Sequence, residues 1–221
     1  VALLEAGGDD NYIWIHIPVG YLYCMGNPRT DWGFSTEPDP GLNGRALAYP
    51  RGRVLGGCSS INGMIYIRGQ ARDYDQWRQF GNVGWGWDDV LPYFLKSEDQ
   101  QALPVDDMHK AGGEWRVEKQ RLSWEILDAF RDAAVEAGLP PVDDFNRGNN
   151  EGVGYFHVNQ KKGVRWNTTK GFLRPAMTRG NLQVFTHAEV KRLIIAEGRV
   201  VGIELRHQGG DAQISATAAV V

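Results

Sequence analysis

The chain has 221 residues, 42% apolar and 23% charged, a balance that permits a sizeable folded core and excludes a disordered chain. The formal charge of −3, with Lys and Arg scattered rather than gathered on one stretch, argues against a nucleic-acid partner. Two cysteines, Cys24 and Cys58, are too few for a disulfide framework and form no C-x-x-C; as free thiols they fit a reducing compartment.

Val1-Ala2-Leu3-Leu4 reads as a short buried strand that ends at Glu5-Ala6-Gly7-Gly8. There is no initiator Met and no charged leader, and Ala218–Val221 again stops inside an apolar run. Both ends therefore read as cuts through strands, and the chain is expected to be an internal piece of a longer protein. Residues 11–44 are rich in Gly, Pro, Asn and aromatics with no sustained period, which predicts a long loop region. Tyr49–Gly63 is glycine-rich and flows into Met64–Ile67, a strand or a buried helical turn. Asp73–Phe80 and Asp88–Glu98 read as amphipathic helices, the second capped by Asp88 with Pro92 near its first turn.

Gly113–Lys119 alternates as a half-buried strand does. Ser123–Ala137 is the clearest helix: Ser123 caps it, Ile126, Leu127, Phe130, Ala133, Ala134 and Ala137 share a face, and Gly138 with Pro140-Pro141 stops it. From Leu182 the pattern turns to strands: Leu182–His187, Val190–Ala196, Val200–Arg206 and Gln213–Val221 read as one antiparallel meander. No stretch reaches the roughly 18 apolar residues of a membrane-spanning helix. The expected location is cytoplasmic, with attachment to the cytoplasmic face of a membrane left open.

Two constellations carry chemistry. Glu5 closes the opening strand, where an acid accepts hydrogen bonds from a ribose diol in dinucleotide-binding folds. No G-x-G-x-x-G occurs in the chain, and a core strand entering a turn explains Glu5 as well. The second is Pro50-Arg51-Gly52-Arg53-Val54-Leu55-Gly56-Gly57-Cys58-Ser59-Ser60-Ile61-Asn62-Gly63-Met64-Ile65. Its glycines let backbone approach a flat or anionic ligand, its small residues leave room, and Asn62 offers a donor and an acceptor. A tight structural turn is the alternative.

Other groups read as bland. His16, His109, His157, His187 and His207 are spread out and read as ordinary loop or strand histidines. Asp106-Asp107, Asp143-Asp144 and Lys161-Lys162 with Arg165 read as solvated loop, with no metal site expected. Gly57-Cys58-Ser59-Ser60-Ile61 fails the G-x-S-x-G pattern, so a hydrolase using Ser59 or Ser60 is disfavoured. Asn167-Thr168-Thr169 matches a glycosylation triplet that also arises by chance. Trp85 and Trp87 read as packing for a helix entry.

The glycine-rich run, followed by Tyr74, Trp77, Gly84-Trp85 and Asp89-Val90-Leu91-Pro92-Tyr93-Phe94, resembles the first signature of the glucose–methanol–choline (GMC) oxidoreductases. The likeness is greatest to bacterial alcohol and choline dehydrogenases. Asp31-Trp32, Leu42-Asn43-Gly44-Arg45, Gly163-Val164-Arg165-Trp166-Asn167 and Gly171-Phe172-Leu173 extend it, so that it runs from Val1 to Val221.

The resemblance implies a mixed α/β fold: part of a Rossmann-like FAD-binding domain (1–70 and 180–221) and part of an antiparallel-sheet substrate domain (71–179). It implies that Glu5 holds the adenosine ribose and that Val190 contacts adenine through its backbone. Val54 to Ile65 would line pyrophosphate and isoalloxazine, among them Gly57 and Cys58, with Asn62, Gly63, Met64 and Ile65 nearest the ring. Many members have Ser at the place of Cys58. Some oxidases carry a His, covalently joined to FAD, at the place of Ile61, so FAD here would be noncovalent.

The implied reaction oxidises a primary alcohol, choline or an aliphatic or aromatic one, to the aldehyde by hydride transfer to flavin N5, with an unknown electron acceptor. The family base is a His that would lie beyond Val221, so no catalytic residue is expected in the chain and little turnover from it alone. A non-catalytic scaffold or interaction module without cofactor is the alternative reading.

Overall fold

The computed structural model describes residues 1–148 and 150–221. In chain order the elements are β1 (Ala2–Leu4), α1 (Ile13–His16), α2 (Tyr21–Cys24), α3 (Ala71–Gln79), α4 (Trp87–Ser97), β2 (Glu98–Gln100), β3 (Trp115–Val117), α5 (Glu125–Glu136), β4 (Gln160–Lys161), β5 (Val164–Arg165), α6 (Arg174–Met177), β6 (Gln183–Phe185), β7 (Ala188–Ala196), β8 (Arg199–His207) and β9 (Gly210–Ser215). They form two compact units, Val1–Asn62 with Thr168–Val221, and Gly63–Asn167. The mixed α/β class expected from the sequence is the class observed.

In the first unit β1 pairs in parallel with β6, and β7-β8-β9 form an antiparallel meander. The run expected at Leu182–His187 therefore leaves the meander to pair with the opening strand, and the last strand stops at Ser215 rather than Val221. β1 is half-buried rather than buried, since this sheet has only two strands. The β7–β8 turn is Glu197-Gly198, both left-handed, as a tight hairpin requires; Gln208-Gly209 does the same for β8–β9. Ala188, Ile203 and Leu205 make one core with Leu4, Phe185 and Ile214 around them. Ile15, Cys24, Val54 and Ile61 make a second with Tyr12 and Trp14. The expected loop of residues 11–44 thus contains α1, α2 and the 3₁₀ turns Pro18–Gly20 and Pro40–Leu42, and its Tyr12, Trp14, Ile15 and Cys24 feed that second core. Asp31 ties this region down: its buried carboxylate accepts the N–H groups of Gly26, Gly33 and Arg51.

In the second unit α3 and α4 pack through aromatic rings, with Tyr74 5.5–5.8 Å from Trp77, Trp87 and Phe94. The N-cap of α4 is Gly86, not Asp88: Asp89, in the first turn, accepts the Gly86 N–H with its carboxylate. Pro92 sits in the second turn of α4. α5 starts at Glu125 without a side-chain cap, so Ser123 does not serve as one. Its stop at Gly138, left-handed, is as read from the sequence. Ile126 and Phe130 on its apolar face are exposed. Met64–Ile67 forms neither a ladder strand nor a helical turn; it is joined by a single bridge, Ile65 to Val158. β3 pairs in parallel with β2. Asn167 is fully buried, a position that leaves no room for a glycan.

The centre of this unit is a charged cluster. His109, fully buried, lies between two carboxylates: Nδ1 is 2.9 Å from Glu98 Oε1 and Nε2 is 2.8 Å from Asp144 Oδ2. Arg68 Nη2 is 3.0 Å from Glu98 Oε2, and its Nη1 donates to the Met108 carbonyl. Arg147 and Asp106 close the cluster at the surface. Asp144, Asp106 and His109 are therefore structural members of a network rather than solvated loop. Arg165, too, is buried, because the β4–β5 hairpin turns it inward while Lys161 and Lys162 stay exposed. Burial alone would push the His109 imidazole down, but its hydrogen bonds to Asp144 and Glu98, and their charges, outweigh that and lift it to about 9.

Because that value is raised above the usual 6.5, the stabilisation is complete below pH about 6.5 and is lost as pH rises through about 9. Thermal unfolding of the second unit should fall in temperature across that window. His109→Ala should destabilise it by about 3–5 kcal/mol in a urea titration at pH 6.5, since two buried carboxylates lose the cation between them. A flat pH profile together with a near-neutral substitution would contradict the cluster as drawn.

Candidate functional site

The first unit brings the two sequence constellations together. Glu5 is held by backbone on both sides: its N–H donates 2.9 Å to the Phe185 carbonyl, and its carbonyl accepts from Ala188 N–H at 2.8 Å. His187 N–H donates to the Gly7 carbonyl at 2.8 Å. Next, Gly8 forms a bridge with Val54, and Leu55 N–H donates 2.9 Å to the Gly8 carbonyl. The end of the opening strand thus lies between residues 185–188 and the signature segment.

Glycine is required at the points of closest approach. A Cβ on Gly7 would overlap the Arg53 carbonyl, and one on Gly52 would overlap the backbone of Gly57. Gly56 and Gly57 are both left-handed, at φ 88° and 53°, and feed the 3₁₀ turn Gly57–Ser60. Beside Gly57 the space is open. The signature turn therefore has one face pressed onto Gly52 and another free for a ligand.

Glu5 is half-buried. Burial pushes its carboxyl up, while the Gly7 N–H, 2.7 Å from Oε1, and the charge of Arg53 pull the other way; the net shift is upward. Oε2 is left for a ligand donor. Val54 is buried in the core with Ile61, so its contribution to any ligand is through backbone. Cys58 is an exposed free thiol whose Sγ accepts the Gly52 N–H at 3.3 Å, and Asn62 is exposed. Val190 lies on β7 opposite Leu205, beside a bulge, with 44% of its surface exposed. The remaining sequence-identified residues, Gly63, Met64 and Ile65, belong to the second unit. There Met64 is buried and left-handed at φ 64°, and its carbonyl accepts from Asn159 N–H. Among the described residues no group of three His, Cys, Asp or Glu side chains is placed to hold a metal ion.

Sequence reasoning missed Thr168. Its hydroxyl lies 3.0 Å from Ser59 Oγ and donates 3.3 Å to the Gly56 carbonyl, 112 positions away. In the sequence Thr168 stands out only as the middle of the Asn167-Thr168-Thr169 triplet, which says nothing of a partner at Gly56.

A family model described as GMC oxidoreductase matches residues 10–221. An oxygen-dependent choline dehydrogenase from Photobacterium profundum is 39% identical over 213 residues, covering 95% of this chain and 37% of the relative. An alcohol dehydrogenase (acceptor) from Pseudomonas putida is 36% identical over 217 residues, covering 98% of this chain and 39% of the relative. Among solved structures, pyridoxine 4-oxidase from Mesorbium loti superposes with a TM-score of 0.91 at 31% identity, over 97% of this chain and 42% of that one. An FAD-dependent oxidoreductase from Chaetomium thermophilum gives 0.87 at 26% identity, over 98% and 40%. The chain thus spans about two fifths of the length of its relatives.

The two kinds of glycine separate by substitution. Gly7→Ala should destabilise the first unit by about 1–3 kcal/mol, because backbone must move to admit the methyl group. Gly57→Ala should cost only the left-handed conformation, about 1 kcal/mol. Urea titrations of both variants check this; equal losses would contradict a closed and an open face.

Proposed function

This chain belongs to the GMC oxidoreductase family, and from that premise we propose that it supplies part of the flavin-binding framework of an FAD-dependent alcohol oxidoreductase. The carrying observation is the junction of Gly7-Gly8 with Arg53–Leu55, which joins the segment carrying the half-buried Glu5 carboxylate to the segment that leads into the glycine turn. In this reading the first unit is the flavin-binding part, and the second belongs to the substrate side.

The residues fit such a cofactor. Glu5 Oε2 would accept the ribose hydroxyls, and a carboxylate suits a diol because it can take two donors. The Gly57 turn would let backbone approach the cofactor without a Cβ between them. Val190 would offer backbone to the adenine. Ile61 is aliphatic and buried in the core, so the cofactor would be held without a covalent bond. When bound, FAD would supply the two-electron acceptor for oxidation of a primary alcohol, choline or a simpler one, to its aldehyde.

None of the five histidines suits the role of base for that reaction. His109 is already protonated near neutral pH and held between two carboxylates. His157 is buried and His16 half-buried, burial pushing both imidazoles down. The His187 ring lies over Gly8, 3.5 Å from where a Cβ would sit, and His207 Nδ1 is 3.4 Å from the His187 carbonyl. The base is accordingly proposed to come from the rest of the protein, and the chain by itself to bind flavin with little turnover.

Titration of the chain into FAD, followed by quenching of flavin fluorescence, tests the reading. Glu5→Gln should weaken binding about 10- to 100-fold, the value of charge-assisted hydrogen bonds to the ribose. Choline and aliphatic alcohols with an artificial electron acceptor should give little turnover. No difference between Glu5→Gln and the parent chain, or rapid turnover, would contradict the assignment.

A further inference from the structure

We propose that Thr168 is a positioning residue for the signature turn, holding residues 56–60 in the shape presented to the flavin. The proposal rests on the flavin reading above, but its first test needs no cofactor.

The argument begins with the turn itself. Two consecutive left-handed glycines, Gly56 and Gly57, carry no Cβ to restrict them, so this backbone has the most freedom to lose on folding. Something outside the turn must hold it. The Gly56 carbonyl accepts three donors: Ser59 N–H at 3.1 Å, Ser59 Oγ–H at 2.5 Å and the Thr168 hydroxyl at 3.3 Å. Thr168 N–H in turn donates 3.0 Å to Ser59 Oγ. Two side chains 109 positions apart thus close a ring of hydrogen bonds on one carbonyl.

Thr168 stands at the cap position of the helical turn Thr169–Leu173, where a Thr hydroxyl usually accepts an N–H of its own helix. Here it makes no such cap bond. Its hydroxyl serves the signature turn instead. Gly52 also abuts Gly57, so the turn has both a glycine contact and a hydroxyl latch, with open space beside Gly57. Loosening the latch would move the backbone at the place where a ligand meets it.

Cys58 reports on this turn directly, since its thiol is exposed, whereas Cys24 is fully buried and serves as an internal reference. The experiment measures the rate at which a thiol-reactive disulfide reagent modifies Cys58 in the cofactor-free chain, and FAD affinity by fluorescence quenching. Thr168→Val should raise the Cys58 rate about tenfold and weaken FAD about tenfold, the value of one lost hydrogen bond, while Thr168→Ser stays within about twofold of the parent. A Thr168→Val chain with parental rate and parental affinity would overturn the proposal. If the parent chain binds no FAD yet Thr168→Val still speeds Cys58 modification, the latch stands and the flavin reading fails. Should Thr168→Val not fold, Ser59→Ala opens the same ring from its other side, and an unchanged Cys58 rate there is equally decisive against the latch.

Discussion

The first unit depends on backbone meeting backbone without side chains between. At Gly7 and Gly52 a single methyl group would collide with the main chain of Arg53 or Gly57. That contact lets Gly8 bridge to Val54 and joins the end of the opening strand to the signature segment. Packing energy is not its purpose, since glycine contributes none and loses the most conformational entropy on ordering. The cost is met nearby: Val54 and Ile61 anchor both ends of the signature in the core with Ile15 and Cys24. Ser60 adds a buried hydrogen bond to the Leu55 carbonyl. The turn is thus made flexible by composition and rigid by context, a combination suited to close approach by a ligand.

The second unit is organised differently. Its centre is polar and charged, with Arg68, Glu98, His109 and Asp144 all buried. Two cations against two carboxylates leave no net charge among the four, and the groups come from loop 64–68, β2, loop 106–110 and loop 142–147. Such a network contributes little to stability relative to an apolar core, but removing one member strands the others. It joins loops that have few apolar side chains to bury, which is how long irregular segments here keep a fixed path.

Much of this was legible in the sequence. The helices at α3, α4 and α5 follow from period, while the glycine-rich run and Glu5 stand out by residue type and by the family resemblance. What could not be read is long-range. Strand β6 alternates like its neighbours in sequence, yet it pairs with β1 at the other end of the chain, and no local pattern reports a partner 181 positions away. Asp144 and His109 looked like loop residues because loops are usually wet; only the fold sets Glu98 beside them. Thr168 was hidden for the same reason, since its partner Gly56 shows no side chain to match. Cap positions were missed by one or two residues, where Asp88 and Asp89 are equivalent by type and differ only in geometry.

The whole reading turns on whether a flavin meets the open face of the 56–60 turn. The measurement that decides it is the rate of Cys58 modification with and without saturating FAD, with buried Cys24 as reference. At FAD about ten times its dissociation constant the Cys58 rate should fall about tenfold, since only the free chain exposes the thiol. FAD that binds, by its fluorescence, yet leaves the Cys58 rate unchanged would place the cofactor elsewhere and contradict the site described.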